Sequence, residues 1–348
     1  MAGAFILLGV GCIQFTGSGT SGLDGGVFRS VDKGAKWTQV SAIATAEGPK
    51  SLGSQDITAL VQDPSDPKAL YAGTNGQGLF VTLDAAASWR KVDGLGAIAV
   101  TKAAVSAGNK CHIFVASGNR ILRSTDCART FQNVYFDPRA DAFIRDLVID
   151  HFNSETIYAA TSKGDFLRSA DNGGSWSPAH RFQTDIRQVL MRKADSRVLY
   201  VATLHRGLWK TTDGGATWVE LNENLGEFPG SADNMRLAEA PSASDSIVAS
   251  SNFGLLRTVD GGATWEPIPL LTPPGSTAIH SLAVSPTDAN AIYYGTASTF
   301  YRTNDGGAQW VTATNPTSRA VTTLLVDASD DSVLYLGTTM LRQSSSPF

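Results

Sequence analysis

An eight-residue phrase recurs seven times along this 348-residue chain, and its spacing restricts the possible folds more than any other feature. Every copy has Ser or Thr first and Asp third, and six of the seven end in Trp. The seven Asp residues lie 42 to 52 positions apart, a period that is typical of repeat architectures. The copies begin at Ser30, Thr82, Ser124, Ser169, Thr211, Thr258 and Thr303.

Each period contains four short strand patterns. In the period that begins at Ile57 they read ITALVQ, ALYAGT, GLFVTL and SWRKV, and they are separated by Gly, Asn, Asp and Pro. Such runs, rich in Val, Ile, Tyr and Leu and bounded by turn residues, predict antiparallel strands. A four-stranded sheet repeated every forty-odd residues predicts the blades of a β-propeller.

Counting the periods predicts an all-β fold, a seven-bladed β-propeller of four-stranded antiparallel blades. Six complete units occupy residues 56–92, 99–135, 143–180, 185–221, 234–268 and 279–313. The two ends supply the seventh blade, with inner strands in 321–338 and outer strands in 27–40. This pairing of N- and C-terminal strands closes the ring and leaves no free sheet edge. Residues 340–344 also have the pattern of a third strand, so the sequence leaves open which end provides it.

The first 22 residues differ from the repeats. An apolar run from Ala4 to Val10, then Gly11 and Cys12, resembles a bacterial lipoprotein signal, and the Gly/Ser/Thr-rich stretch after it resembles a flexible tether. We therefore expect residues 1–22 to be signal and tether and residues 23–348 to be the propeller. The protein is then exported to the cell surface or periplasm and lipid-anchored at Cys12. The alternative is that residues 4–15 form a buried strand.

The repeated phrase predicts a structural turn rather than a site. Its Asp accepts hydrogen bonds from turn N–H groups, a Gly two residues later supplies positive φ, and the aromatic packs between sheets. These residues resemble the Asp-box, and residues 23–348 are similar to the Asp-box (BNR) propellers. Those include sialidases, xyloglucan-hydrolysing propellers, the sortilin ectodomain and the lumenal photosystem II assembly propeller. The resemblance implies the fold and says little about function.

A candidate site emerges when the seven first strands are aligned. Their second positions hold Thr58, Thr101, Arg145, Arg187, Arg236, His280 and Thr322. Equivalent positions point the same way at the same depth, which predicts a contiguous arc of three Arg and one His at one mouth of the central channel. The loops beside it add His205 and Arg206. On a chain of net charge −4, this arc favours an anion. The alternative is that each Arg pairs with a local acid: Asp146, Asp185, Asp233 or Glu239.

Two classes of function follow. The resemblance to sortilin and to the photosystem assembly factor, which is known for an arginine patch, implies a non-enzymatic binding or assembly propeller with a protein, peptide or glycan partner. The resemblance to xyloglucan hydrolases implies a glycoside hydrolase, for which Asp56, Asp185 and Asp233 are the carboxylates at strand starts. No Arg-Ile-Pro motif of the sialidases occurs. Because an aromatic platform for sugar does not accompany these acids, we favour binding.

The remaining features restrict partners and location. There is no basic excess for nucleic acid and no apolar stretch long enough for a transmembrane helix, so the lipid anchor is the expected membrane link. No second His or Cys stands at ligand spacing from His205, so we expect no metal and no cofactor, and we expect a monomer. Counting back from the turn at Gly118 brings Cys127 next to Cys111, which predicts a disulfide. Two small buried thiols are the alternative.

Overall fold

The computed structural model describes residues 23–46, 48, 50–243 and 245–341, which form seven four-stranded antiparallel sheets. Six sheets are each built from one continuous stretch of chain, with strands in sequence order from the inside of the ring outwards. The predicted fold class, a seven-bladed β-propeller, is therefore confirmed. The expected signal, tether and anchor at Cys12 lie outside the described residues.

The first three blades have the following strands. Blade 1 consists of Ile57–Asp63, Asp66–Thr74, Leu79–Thr82 and Arg90–Lys91. Blade 2 consists of Lys102–Val105, Ile113–Ser117, Arg120–Ser124 and Gln132–Phe136. Blade 3 consists of Ile144–Ile149, Ile157–Thr161, Asp165–Ser169 and Ser177–Arg181.

The other four blades follow the same plan. Blade 4 consists of Ile186–Met191, Leu199–Thr203, Leu208–Thr211 and Val219–Glu220. Blade 5 consists of Arg236–Glu239, Ile247–Ser250, Leu255–Thr258 and Glu266–Ile268. Blade 6 consists of Ser281–Val284, Ile292–Gly295, Thr299–Thr303 and Val311–Thr314. Blade 7 consists of Ala320–Val326, Leu334–Thr339, Val27–Ser30 and Thr38–Gln39.

Connecting segments contain little regular structure. The strands Ala42–Ile43 and Lys50–Ser51 form a small separate sheet. The described helices are three short 3₁₀ segments, Leu52–Ser54, Asp93–Leu95 and Asn222–Leu225. No helix in the described part of the chain is long and apolar enough to cross a membrane.

The N-terminal end provides the third strand of blade 7. Val27–Ser30 pairs with Leu334–Thr339, with Phe28 opposite Leu336. Arg319, at the start of blade 7, is buried. Its guanidinium lies 3.2 Å from the carboxylate of Asp56, next to blade 1, and 3.7 Å from that of Asp24. Ring closure thus joins both ends of the described chain, and Met340 and Leu341 lie outside the strand.

The hydrophobic core is divided among the interfaces between blades. The last aromatic of each repeated phrase packs on the preceding blade: Trp89 belongs to a cluster with Val27 and Val40, and Trp218 meets the Phe166 ring edge-on at 5.1 Å. Similar clusters contain Trp37, Phe131, Trp176, Trp265 and Trp310. Each of these rings therefore seals one interface between blades.

The phrase itself forms the same turn in all seven blades, which we call the aspartate turn. In blade 4 the carboxylate of Asp213 accepts hydrogen bonds from the Thr217 N–H and hydroxyl, at 2.9 and 2.6 Å, and from the Thr211 hydroxyl at 2.7 Å. The two residues after the Asp have positive φ in every copy, even at Ala85 and Ala86 (57° and 69°) and at Cys127 and Ala128 (59° and 66°). The predicted structural role of the phrase agrees with this geometry.

The hairpin in blade 2 has the register expected from its turn. Ser117 pairs with Arg120, Val115 with Leu122 and Ile113 with Ser124. Just beyond the hairpin, Cys111 and Cys127 form a disulfide in the structure. The bond links the segment just before the second strand to the aspartate turn of the same blade.

Candidate functional site

The central channel contains a cavity of about 500 Å³ near the starts of the first strands. All seven residues of the aligned sequence position line it: Thr58, Thr101, Arg145, Arg187, Arg236, His280 and Thr322. The structure therefore brings the predicted arc together. His205 and Arg206 do not line the cavity; they are exposed on a loop beside it, where the His205 imidazole lies 3.0 Å from the Asp233 carboxylate.

A backbone irregularity places most of these side chains. Strand pairing skips Thr58, Arg145, Arg187 and Thr322, so that each is the extra residue of a β-bulge in its inner strand. Bulges re-aim a side chain and are frequent next to binding sites. Among the three arginines Arg236 is the exception, since it pairs regularly with Ser250. The bulges were not foreseen, because the sequence shows no insertion until the partner strand is known.

The threonines and the arginines have different surroundings. The Thr58 hydroxyl donates to the Val100 carbonyl at 2.5 Å, and the Thr322 and Thr339 hydroxyls share a hydrogen bond of 2.7 Å. The hydroxyls of these two threonines therefore hold neighbouring segments together. The three Arg side chains lie on another part of the channel wall, on blades 3 to 5.

The sequence left open the alternative that each Arg pairs with a local acid. Of the three arginines, only Arg145 is fully paired in this way. Its guanidinium binds both oxygens of Asp185, with N–O distances of 2.8 and 3.0 Å. Arg187 approaches the same carboxylate at only 3.9 Å. Within the described ranges, no carboxylate forms an ion pair with Arg236. The three arginines thus range from fully paired to unpaired along the arc.

The electrostatics of Arg236 reflect this position. Its side chain is in contact with channel solvent but surrounded by the channel wall, and this loss of bulk water lowers its pKa, with a second contribution from Arg187. Burial, and then the charge of Arg236, also lowers the pKa of His280 below its usual value. His280 is therefore expected to be neutral at pH 7, and the positive charge to reside on the arginines.

The sequence reasoning missed a lysine on the same wall. Lys102 lines the cavity and its ammonium lies 2.8 Å from Asp146, whose other oxygen accepts the Val189 N–H at 2.9 Å. Asp146 is 2% exposed, so this bridge across blades 2, 3 and 4 is structural. Four cations and two carboxylates then stand on this side of the channel, which leaves it positive. The sequence could have indicated this lysine, because Lys102 directly follows Thr101, one of the seven aligned positions.

The carboxylates considered for hydrolysis are all engaged. Asp56 contacts Arg319 and accepts the Met340 N–H, Asp185 binds Arg145, and Asp233 contacts His205. The described lining of the cavity includes no Phe, Tyr or Trp. Among the described residues no group of three or more His, Cys, Asp or Glu could hold a metal ion. The cavity is thus a polar, cationic pocket on a rigid ring.

Three kinds of similarity connect this geometry to known proteins. The family model of sortilin-Vps10 (sortilin, neurotensin receptor 3) matches residues 119–251. A xyloglucanase from Paenibacillus sp is 27% identical over 245 residues, which is 58% of this chain and 24% of that protein. The chain therefore spans about a quarter of the length of this curated relative.

Solved structures share the fold. A GH74 xyloglucanase from Xanthomonas campestris aligns with a TM-score of 0.64 at 18% identity, over 82% of this chain and 51% of its own. YCF48 bound to a D1 peptide aligns with a TM-score of 0.61 at 15% identity, over 82% and 94% of the two chains. The chain is a seven-bladed β-propeller similar to the propellers of sortilin, the xyloglucanases and YCF48.

Proposed function

We propose that this propeller is a non-enzymatic binding or assembly protein that holds an anionic group of a protein or peptide at the channel mouth. The observation that carries the proposal is the guanidinium of Arg236, which lies beside Arg187 and has no carboxylate partner in the described part of the chain. Two neighbouring cations in a confined cavity repel each other, and an anion between them removes that cost. A carboxylate or phosphate also accepts the charged hydrogen bonds that both guanidinium groups can donate.

The engaged carboxylates and the non-aromatic lining support binding over hydrolysis. A glycosidase needs one carboxyl to act as acid and another as base or nucleophile across a cleft. Asp56 and Asp185 each form an ion pair with an Arg instead, and Asp233 contacts the imidazole of His205. YCF48, which aligns with this chain over 94% of its length, has been solved with a bound D1 peptide, and peptide binding is proposed here as well.

The proposal includes an extracytoplasmic location. The protein would be exported and tethered at Cys12, with the propeller acting as a monomer outside the cytoplasm. The disulfide between Cys111 and Cys127 supports this, since such bonds persist in oxidising compartments. Mass measurement of the natural protein, before and after reduction, tests both the bond and the lipid.

The binding proposal is tested with a fluorescein-labelled acidic peptide at several salt concentrations. We expect wild type to bind it with an affinity that falls as salt rises, and R187Q/R236Q to lose about tenfold or more with a flatter salt dependence. Arg197→Gln is the matched control, because Arg197 is an exposed arginine on the opposite face. Equal affinity of wild type and the double variant would overturn the proposal.

A glycoside hydrolase is the second candidate, favoured by the identity to the Paenibacillus xyloglucanase. In that case the purified protein would turn over a xyloglucan or another glycan on a panel, and Asp56→Asn or Asp233→Asn would abolish turnover. Such a result would replace the binding proposal. Turnover that these substitutions leave unchanged would point to contamination.

A further inference from the structure

A second cavity, of about 370 Å³, lies on blade 5 outside the channel, and we call it the blade 5 groove. Phe253 and Gly254, between the second and third strands, form one side, and the loop from Pro269 to Pro274, after the fourth strand, forms the other. Only Thr272 contributes a polar side chain to the lining. The groove is therefore apolar, in contrast to the cationic channel.

Both sides of the groove are held in place. The Phe253 ring packs on Phe228 at 5.3 Å, and the Phe253 carbonyl accepts the Gly275 N–H at 2.9 Å. The Pro269 carbonyl accepts the indole N–H of Trp310, in the next blade, at 2.7 Å. Prolines in the loop restrict its backbone further. Despite this support, Leu271 remains 60% exposed, so a rigid apolar surface faces solvent.

The blade 5 groove is continuous with the channel mouth. Asn252 lines the channel and its neighbour Phe253 lines the groove. Leu255, at the start of the third strand, pairs with Ile268, at the end of the fourth, so both loops lie on the mouth face. Adjacent strands are ~4.8 Å apart, which puts the groove ~12 Å from the first strand. An extended peptide covers that distance in about four residues.

We propose that the blade 5 groove receives a large apolar side chain of the same peptide whose acidic group enters the channel. This inference rests on the proposed function and specifies its partner: an extended segment with an apolar residue about four positions from an acidic one. The channel supplies charge complementarity, and the groove supplies apolar burial on a pre-formed surface. Binding at two separated points also fixes the direction and register of the segment.

The experiment uses two fluorescein-labelled peptides, one with Leu four positions from a pair of glutamates and one with Ser in place of that Leu, each made in both chain directions. For wild type we expect the Leu peptide to bind about tenfold more tightly in one direction, since burial of a Leu side chain is worth that much or more. Leu271→Ser should remove most of this preference. Val259→Ser is the matched control, because Val259 is a similarly exposed apolar residue of blade 5 in its aspartate turn, on the opposite face.

The outcomes separate the two proposals. If the Leu and Ser peptides bind wild type equally, the groove inference is wrong while the channel proposal stands. If neither peptide binds, both are wrong. Arg236→Gln should weaken both peptides by the same factor and keep the preference for Leu. A shift from dimer to monomer on Leu271→Ser would show that a second copy occupies the groove and would overturn the inference.

Discussion

The two faces of the propeller use equivalent positions in opposite ways. On the face of the aspartate turns, seven copies have the same geometry, and each described Asp carboxylate is hydrogen-bonded within its own turn. On the mouth face, seven equivalent positions hold three Arg, one His and three Thr with different partners. Repetition therefore marks what every blade needs for stability, and departure from repetition marks where a ligand can bind.

Removal of an aromatic at the end of an aspartate turn should have the largest effect. Trp89 is 1% exposed between blades 7 and 1, and its indole N–H donates to Val40. We expect Trp89→Ala to lower the free energy of unfolding by about 3–5 kcal/mol, because it leaves a cavity and an unpaired carbonyl. Chemical denaturation measures this. The folded fraction should still bind the acidic peptide. Loss of binding at unchanged stability would mean that the aspartate turns, and not the channel mouth, form the binding site.

The second-largest effect on stability should come from removal of the buried hydroxyl at the first position of an aspartate turn. Thr258 is 1% exposed, donates to Asp260 at 2.7 Å and accepts the Gly262 N–H at 2.8 Å. Thr258→Val leaves that buried N–H without an acceptor, which should cost about 1–3 kcal/mol of unfolding free energy. The adjacent exposed Val259, changed to Thr, is the control and should shift stability by less than about 0.5 kcal/mol. Equal effects of the two substitutions would contradict the conclusion that the buried Thr258 hydroxyl stabilises the turn.

The aspartate turns and the partly buried histidines should contribute to the loss of stability in different pH ranges. Hydrogen bonds from Ser175 and Thr264, first from their side chains, lower the pKa of Asp171 and Asp260 to about 2. Their stabilising contribution is complete above the unfolded value near ~4 and is lost as pH falls toward 2. Burial lowers the pKa of His180 and His280, so protonation of the unfolded chain costs stability as pH falls below ~6.5.

Thermal unfolding at several pH values checks these ranges. We expect a first decrease of the melting temperature between pH 7 and 5 that H180N/H280N reduces. A second decrease below pH 4 should be unaffected by these substitutions. A main loss near pH 5 in the double variant would mean that the aspartate turns are not the acid-resistant part of the ring.

The smallest expected effect concerns the turns that lack glycine. Ala128 has a φ of 66°, a conformation that costs a residue with a Cβ about 1 kcal/mol or more. Ala128→Gly should therefore leave stability unchanged or raise it by up to about 1 kcal/mol, because the relief of strain is partly offset by the greater freedom of Gly in the unfolded chain. Ala216 is the control, because it lies in another aspartate turn but does not itself have a positive φ. Its change to Gly should not raise the stability.

The repeated features were predictable from the sequence, and the pairings between repeats were not. Seven spaced phrases define the blades, and a short turn fixes the hairpin register around Val115 and Leu122. The identity of the third strand of blade 7 could not be predicted, because residues at both ends of the chain have the pattern of a strand. Only the pairing of Val27–Ser30 with Leu334–Thr339 distinguishes them.

The candidate site was predictable in position but not in electrostatics. The alignment of first strands put Arg145 and Arg236 at one depth, since equivalent positions of a repeat are equivalent in space. It could not show that Asp185 binds Arg145, because that contact joins side chains from neighbouring blades 40 residues apart. Of the other local acids, Glu239 pairs with Arg192 and Asp233 contacts His205. Among the residues that the structure describes, Arg236 is left without such a partner.

A single substitution tests the central claim most directly, with two measurements on one variant. Arg236→Gln removes a cation that repels Arg187 and has no described carboxylate partner, so the melting temperature should stay the same or rise. The affinity for an acidic peptide should fall by about tenfold, because the anion loses a charged hydrogen-bond donor. A lower melting temperature with unchanged affinity would contradict the account, because Arg236 would then be part of the structural frame and not of a binding site.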